Sequence, residues 1–163
     1  VLPARIVTPR TVAVLAAAAL TAVALGGCAR TIGVEVAPDA ADPLCAEVLL
    51  AVPDELGEDL PKVPTDAQAT AAWGEPGGAV TMRCGVEQLG PSGDCQHVDS
   101  GDGTTVDWIV TTDDQGTWSF VTYGRDPAVE VIVPPAVTDD HSTSFIADLA
   151  DAVTQVPATK ECQ

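Results

Sequence analysis

Two histidines, five cysteines and seven basic residues hold most of the reactive chemistry of this chain. His141 follows Asp139-Asp140 and precedes Ser142, so an acid, an imidazole and a hydroxyl stand close together. Serine hydrolysis needs these groups converging in space, and neighbours in sequence form no triad by proximity alone. No G-x-S-x-G elbow is present. The stretch reads as a solvated loop before a helix. Asp99-Ser-Gly-Asp102-Gly103 hints at calcium, which needs oxygen ligands at alternate positions and a glutamate at the twelfth. Gly101 and Gly103 occupy those alternate positions, so turn aspartates are expected instead. No catalytic residue, metal ligand or cofactor is assigned, and the chain is not read as an enzyme.

Arg83 and Arg125 are better candidates, because bases are scarce here. Either guanidinium can grip a carboxylate or phosphate on a ligand. The competing role is an internal ion pair with an acid such as Asp107 or Glu130. Trp73 and Trp108 could line a pocket or fill the core. The candidate binding residues are therefore Arg83, Arg125 and Trp73.

The cysteines divide by position. Arg5 and Arg10 precede an apolar run over residues 11–25, followed by Leu25-Gly26-Gly27-Cys28. The run has the length of a signal peptide and is short for a membrane-spanning helix. The four residues resemble the lipobox of bacterial lipoproteins. That resemblance implies a diacylglycerol thioether on Cys28, cleavage before it, and a membrane tether on the extracytoplasmic face. Two or more acyl chains hold firmly where one does not. Residues 1–27 are expected to be removed, residues 28–41 to be a flexible linker, and residues 42–163 to form one globular domain.

The chain from Cys28 onward has 136 residues, enough for a real core. It holds all 24 acids and five bases, namely Arg30, Lys62, Arg83, Arg125 and Lys160, for a net charge of −19. Such a field repels nucleic acid and anionic headgroups. It permits cationic ligands or loose divalent-ion binding, and it also suits simple solubility.

Cys45, Cys84, Cys95 and Cys162 remain, an even number that implies two disulfides in an exported chain. No C-x-x-C pair occurs, which argues against a redox motif or zinc knuckle. Their placement depends on the elements around them. Asp42-Pro43 opens a helix, with Cys45, Val48, Leu49 and Val52 on one stripe and Pro53 as its stop. Residues 53–66 read as a loop and 66–72 as a short helix. Residues 79–87, 106–111, 117–123 and 128–133 alternate as strands. Residues 88–105 read as a long polar loop holding Cys95 and His97. Ile146, Leu149, Val153 and Val156 mark a last helix, capped near Ser142 and closed by Pro157. The fold class is α+β: about four antiparallel strands, with an N-terminal and a C-terminal helix on one face. Cys45 and Cys84 then point inward, while Cys95 and Cys162 lie in a loop and a tail. Pairing like with like gives Cys45–Cys84 and Cys95–Cys162. The alternative is Cys45–Cys162 with Cys84–Cys95.

Several phrases also carry a family likeness. Asp42-Pro43-Leu44-Cys45 precedes an apolar helix. Trp73-Gly74-Glu75-Pro76 precedes Arg83-Cys84-Gly85-Val86. Val106-Asp107-Trp108 and Tyr123-Gly124-Arg125-Asp126-Pro127 follow. Together, over about residues 42–162, they resemble the actinobacterial secreted or lipoprotein family of domain of unknown function 3515. The likeness implies a location and a shape, and carries no catalytic residue. The functional expectation is a membrane-anchored envelope module, non-enzymatic, that binds a protein or cell-wall component. The alternatives are a small-ligand binder using Arg83 or Arg125 and an envelope hydrolase built on His97 or His141.

Overall fold

The structure is a computed structural model that describes residues 31–163. The expected leader over residues 1–27, Cys28 and Arg30 lie outside the described residues.

Helix α1 spans Pro43–Ala51. The Asp42 carboxylate accepts from the Leu44 N–H at 2.8 Å, and Pro43 sits where no N–H is needed. Val52, which precedes Pro53, is extended and ends the helix. The four expected strands form as β4 (Val80–Val86), β6 (Thr105–Thr112), β7 (Trp118–Thr122) and β8 (Ala128–Val133). Four more join them: β1 (Glu55–Leu56), β2 (Leu60–Val63), β3 (Thr70–Trp73) and β5 (Cys95–Asp99). All pair antiparallel in one eight-stranded sheet, in the order β1-β2-β3-β4-β8-β7-β6-β5.

The expectation of about four strands is therefore corrected to eight. Each added strand lacks a local signal for a physical reason. β3 is Thr-Ala-Ala-Trp, buried throughout, and alanine favours helix over strand. Its pairing with β4 overrides that preference, so residues 66–72 form no helix. β5 is a polar edge strand with one neighbour, so no apolar alternation marks it. β1 and β2 are short, and β2 contains Pro61, which suits the sheet margin.

Side chains alternate across the sheet, so its two faces differ. On the first face Met82, Cys84, Val129, Val131, Trp108 and Phe120 pack against Cys45 and Val48 of α1 and against the C-terminal helical segment. That segment is a 3₁₀ helix (Thr143–Leu149) followed by one α-helical turn, α3 (Ala150–Val153), after the short α2 (Pro135–Thr138). The continuous last helix expected from sequence is thus mostly 3₁₀. Trp108 meets Phe120 edge-on at 6.3 Å. Burying each large apolar side chain here stabilises by about 1.5–3 kcal/mol.

On the second face one row runs Thr70, Arg83, Glu130, Val121, Ile109 and Cys95 across six strands. Two stretches of backbone cross this face. The first includes residues 37–40, where Ala37 and Ala40 pack on Val86, Val121 and Ala128. Residues 37–40 lie within residues 28–41, expected to be a flexible linker and described from residue 31 on. Instead the Ile32 N–H bonds the Pro64 carbonyl and the Asp39 N–H bonds the Gly85 carbonyl. Small side chains and a glycine beneath make that close approach possible. The second crossing is the tail over residues 158–162, where Ala158 bridges Arg125 and the Thr159 N–H bonds the Gly124 carbonyl.

Two disulfides close the fold. Cys45–Cys84 joins α1 to β4 inside the core, with both cysteines fully buried. Cys95–Cys162 ties the start of β5 to the tail and is partly exposed.

Candidate functional site

Among the described residues, His97, Asp107 and Cys162 converge on the second face. His97 on β5 and Asp107 on β6 are direct cross-strand partners. Their side chains therefore share a face, and the His97 Nδ1–H donates to Asp107 Oδ1 at 2.6 Å. Asp107 is buried, and its Oδ2 accepts the Cys162 backbone N–H at 2.7 Å. The His97 side chain is 60% exposed. An imidazole held through Nδ1 presents Nε2 as a proton acceptor or metal ligand.

Beside this pair the chain leaves β7 at Tyr123-Gly124-Arg125. Arg125 is only 6% exposed. Its Nη1 donates to the Val156 carbonyl, and its Nε has no hydrogen-bond partner. Burial pulls its guanidinium below the usual arginine value, and the nearby Asp107 charge works the other way. A cleft of about 250 Å³ opens here, lined by His97, Thr105, Asp107, Tyr123, Arg125 and Glu161. An unsatisfied buried donor costs about 1–3 kcal/mol. Arg125 lines the cleft, while its unpaired Nε is itself buried from solvent.

The other candidate residues are placed elsewhere. Arg83 faces Glu130 across β4 and β8, and its Nε donates to the Glu130 carboxylate. Glu35 lies 3.9 Å from its other end. It forms the internal ion pair that was the alternative to ligand binding. Trp73 is fully buried in the core, where its Nε1–H donates to the Pro53 carbonyl at 2.9 Å. It has no surface to offer a ligand. His141 lies in a different cleft, between Glu58, Asp59 and Asp148. The Ser142 hydroxyl accepts from the Ser144 N–H as a helix cap, and the buried His141 Nδ1 has no hydrogen-bond partner. In the Asp99–Asp102 stretch each carboxylate locks its own turn. Asp99 accepts from the Gly101 N–H and Asp102 from the Thr104 N–H. Hydrogen bonds from the Ser100 hydroxyl and then the Thr104 N–H hold Asp102 below the usual carboxylate range.

Sequence reading reached Arg125 but missed its companions. His97 was placed in a loop, and Asp107 was named only as an acid that an arginine could pair with. Their register across an edge strand is what joins them, and Tyr123 and Glu161 enter through the turn and the tail. Residues 95–99 carry no apolar alternation that could have signalled this register.

The family model described as "Protein of unknown function (DUF3515)" matches residues 6–162, and the chain belongs to that family. No curated protein and no solved structure matches it.

Proposed function

For this family member we propose a lipoprotein of the actinobacterial cell envelope, tethered outside the membrane through Cys28, whose domain binds a small anionic ligand without transforming it. The address rests on the leader, the Leu25-Gly26-Gly27-Cys28 phrase and two disulfides of the kind favoured by oxidising compartments. The ligand reading rests on one observation: the Arg125 guanidinium is buried on the wall of a cleft with its Nε unpaired. A carboxylate or phosphate oxygen is the natural complement. Tyr123, Thr105 and His97 supply further polar contacts for it, against the opposing charge of Asp107 and Glu161 on the same walls and of the strongly acidic chain.

A protein-docking module is supported less well. Among the described residues the exposed large hydrophobics are Val36, Leu50 and Leu89, far apart in sequence. Single exposed apolar residues are normal on a soluble surface, and a docking face needs a contiguous patch. A binder is preferred to a hydrolase because, among the described residues, no hydroxyl or thiol is hydrogen-bonded to the His97 ring, even though Asp107 holds that ring as an orienting acid would.

Two measurements test this. Cys28→Ala should release the protein from the membrane fraction of cells; retention at the wild-type level refutes the tether. Inorganic phosphate and succinate serve as ligand probes. One of them should raise the unfolding temperature with concentration, by an amount equal to about 2.7 kcal/mol at a hundred times its Kd. Ala158→Trp, which fills the cleft and leaves Arg125 in place, should abolish that rise. No rise with either probe, or an equal rise in the variant, removes the ligand reading.

A further inference from the structure

We propose that Cys95, Cys162, His97 and Asp107 form a thiol-gated zinc site, closed while the Cys95–Cys162 disulfide is intact and able to take one Zn²⁺ after a dithiol has reduced it. The donors are already gathered. One ligand atom each of His97, Asp107 and Cys162 lies within 4.8 Å of the others, and the Cys95 sulfur is bonded to that of Cys162. Two thiolates, an imidazole and a carboxylate are all groups that zinc takes in tetrahedral sites. Zinc–ligand lengths of about 2.0–2.3 Å put neighbouring ligand atoms about 3.3–3.8 Å apart. The His97–Asp107 contact at 2.6 Å must widen and the two sulfurs must part. These shifts are of an ångström or two, at an edge strand with one neighbour and in a tail outside any strand or helix.

The disulfide acts as the gate because a bonded sulfur is no thiolate ligand, and the thiolate is the form that binds metal. The two bridges differ in access. Cys45 and Cys84 are fully buried, whereas Cys95 and Cys162 line an open cleft beside Ser92 and Gly93. A dithiol reductant therefore reaches one bridge and not the other. It attacks a sulfur of that bridge and passes it two electrons and two protons while its own disulfide forms. Zinc then displaces the two thiol protons. The Cys162 N–H bond to Asp107 Oδ2 keeps the tail beside the site when the sulfur bridge opens. Soft thiolates also distinguish this set from the carboxylates that cover the rest of the surface. The inference does not depend on Arg125 or on any anionic ligand.

The test uses the full chain carrying Cys28→Ser, so that no fifth sulfur competes. After dithiothreitol treatment and its anaerobic removal, alkylation and peptide mass spectrometry should find Cys95 and Cys162 modified, with Cys45 and Cys84 still bridged. Titration against a chromophoric chelator should then show one tight Zn²⁺ per chain, absent before reduction. Co²⁺ in its place should give a sulfur-to-metal charge-transfer band. His97→Ala should weaken zinc at least about tenfold, the loss typical of removing even a supporting partner. Cys162→Ser should weaken the charge-transfer band, and Cys95→Ser with Cys162→Ser should remove it. Equal zinc binding before and after reduction, indifference to His97→Ala, opening of Cys45–Cys84 in step, or loss of the fold on reduction would each overturn the proposal.

Discussion

The two faces of the sheet are covered by different means. On the first, helices α1 and α3 and the 3₁₀ helix press apolar side chains into Met82, Trp108 and Val131. On the second, two lengths of backbone lie across the strands, and the beds under them are glycines. Gly85 and Gly124 both have positive φ, where an L side chain is strained. A Cβ on Gly85 would collide with the Asp39 backbone, and one on Gly124 with the Lys160 backbone. The first face is held by buried area, and its core side chains are closed to solvent. The second is held by hydrogen bonds, one glycine contact under each crossing and a disulfide. Gaps remain there, and the cleft beside Arg125 is one of them.

The disulfides test this contrast most strongly. Chain entropy alone favours Cys95–Cys162, whose separation is 67 residues against 39 for Cys45–Cys84, by about half a kcal/mol. Core packing outweighs that difference. Cys45→Ala with Cys84→Ala should cost about 3–5 kcal/mol in urea unfolding, and Cys95→Ala with Cys162→Ala about 2–3 kcal/mol. The reverse order would mean that the tail, and not the helical layer, dominates stability.

The glycines come next. Gly85→Ala and Gly124→Ala should each cost about 1–3 kcal/mol through strain and displaced backbone. Native-state hydrogen exchange separates them. Gly124→Ala should speed exchange at the Thr159 amide and Gly85→Ala at the Asp39 amide, since each donates to a carbonyl beside its crossing. Uniform acceleration across the sheet would show that the two crossings are not independent devices.

The smallest effect lies in the β6–β7 turn. Asp113 accepts from the Thr117 and Gln115 N–H groups, and the Thr117 bond leads in holding its carboxyl below the ordinary value of 3.8. A depressed folded-state value means a contribution present above 3.8 and lost as pH falls through the folded value. Asp113→Asn should therefore lower the unfolding temperature slightly at pH 7, with the gap closing in strong acid. A gap that widened in acid would reverse the sign.

How far the sequence could be read follows from what each residue announces alone. Asp42-Pro43 announced α1, and the alternating runs announced β4, β6, β7 and β8. The inward stripe of Cys45 and the inward face of Cys84 favoured joining them, because both periodicities are local, and the structure decided for that pairing over Cys45–Cys162 with Cys84–Cys95. β3 and β5 were hidden, since alanines and polar edge residues take strand form only when a partner's hydrogen bonds are available. The site suffered from the same blindness. Arg125 drew attention as a rare base, and so did Arg83, yet nothing local separates an arginine facing Glu130 from one beside an open cleft.

The sequence by itself thus determined the class of fold, the like-with-like pairing favoured for the four domain cysteines, and the family phrases, because these depend on periodicity, parity and composition. Only the tertiary structure decided that residues 32–41 and 158–162 cross one face, and that His97 meets Asp107. It also decided that Arg125 lines a cleft with its Nε buried and unpaired while Arg83 donates its own to Glu130. Those outcomes depend on strand register and on backbone approaching backbone over glycine, and both are relations between distant segments that no single segment encodes.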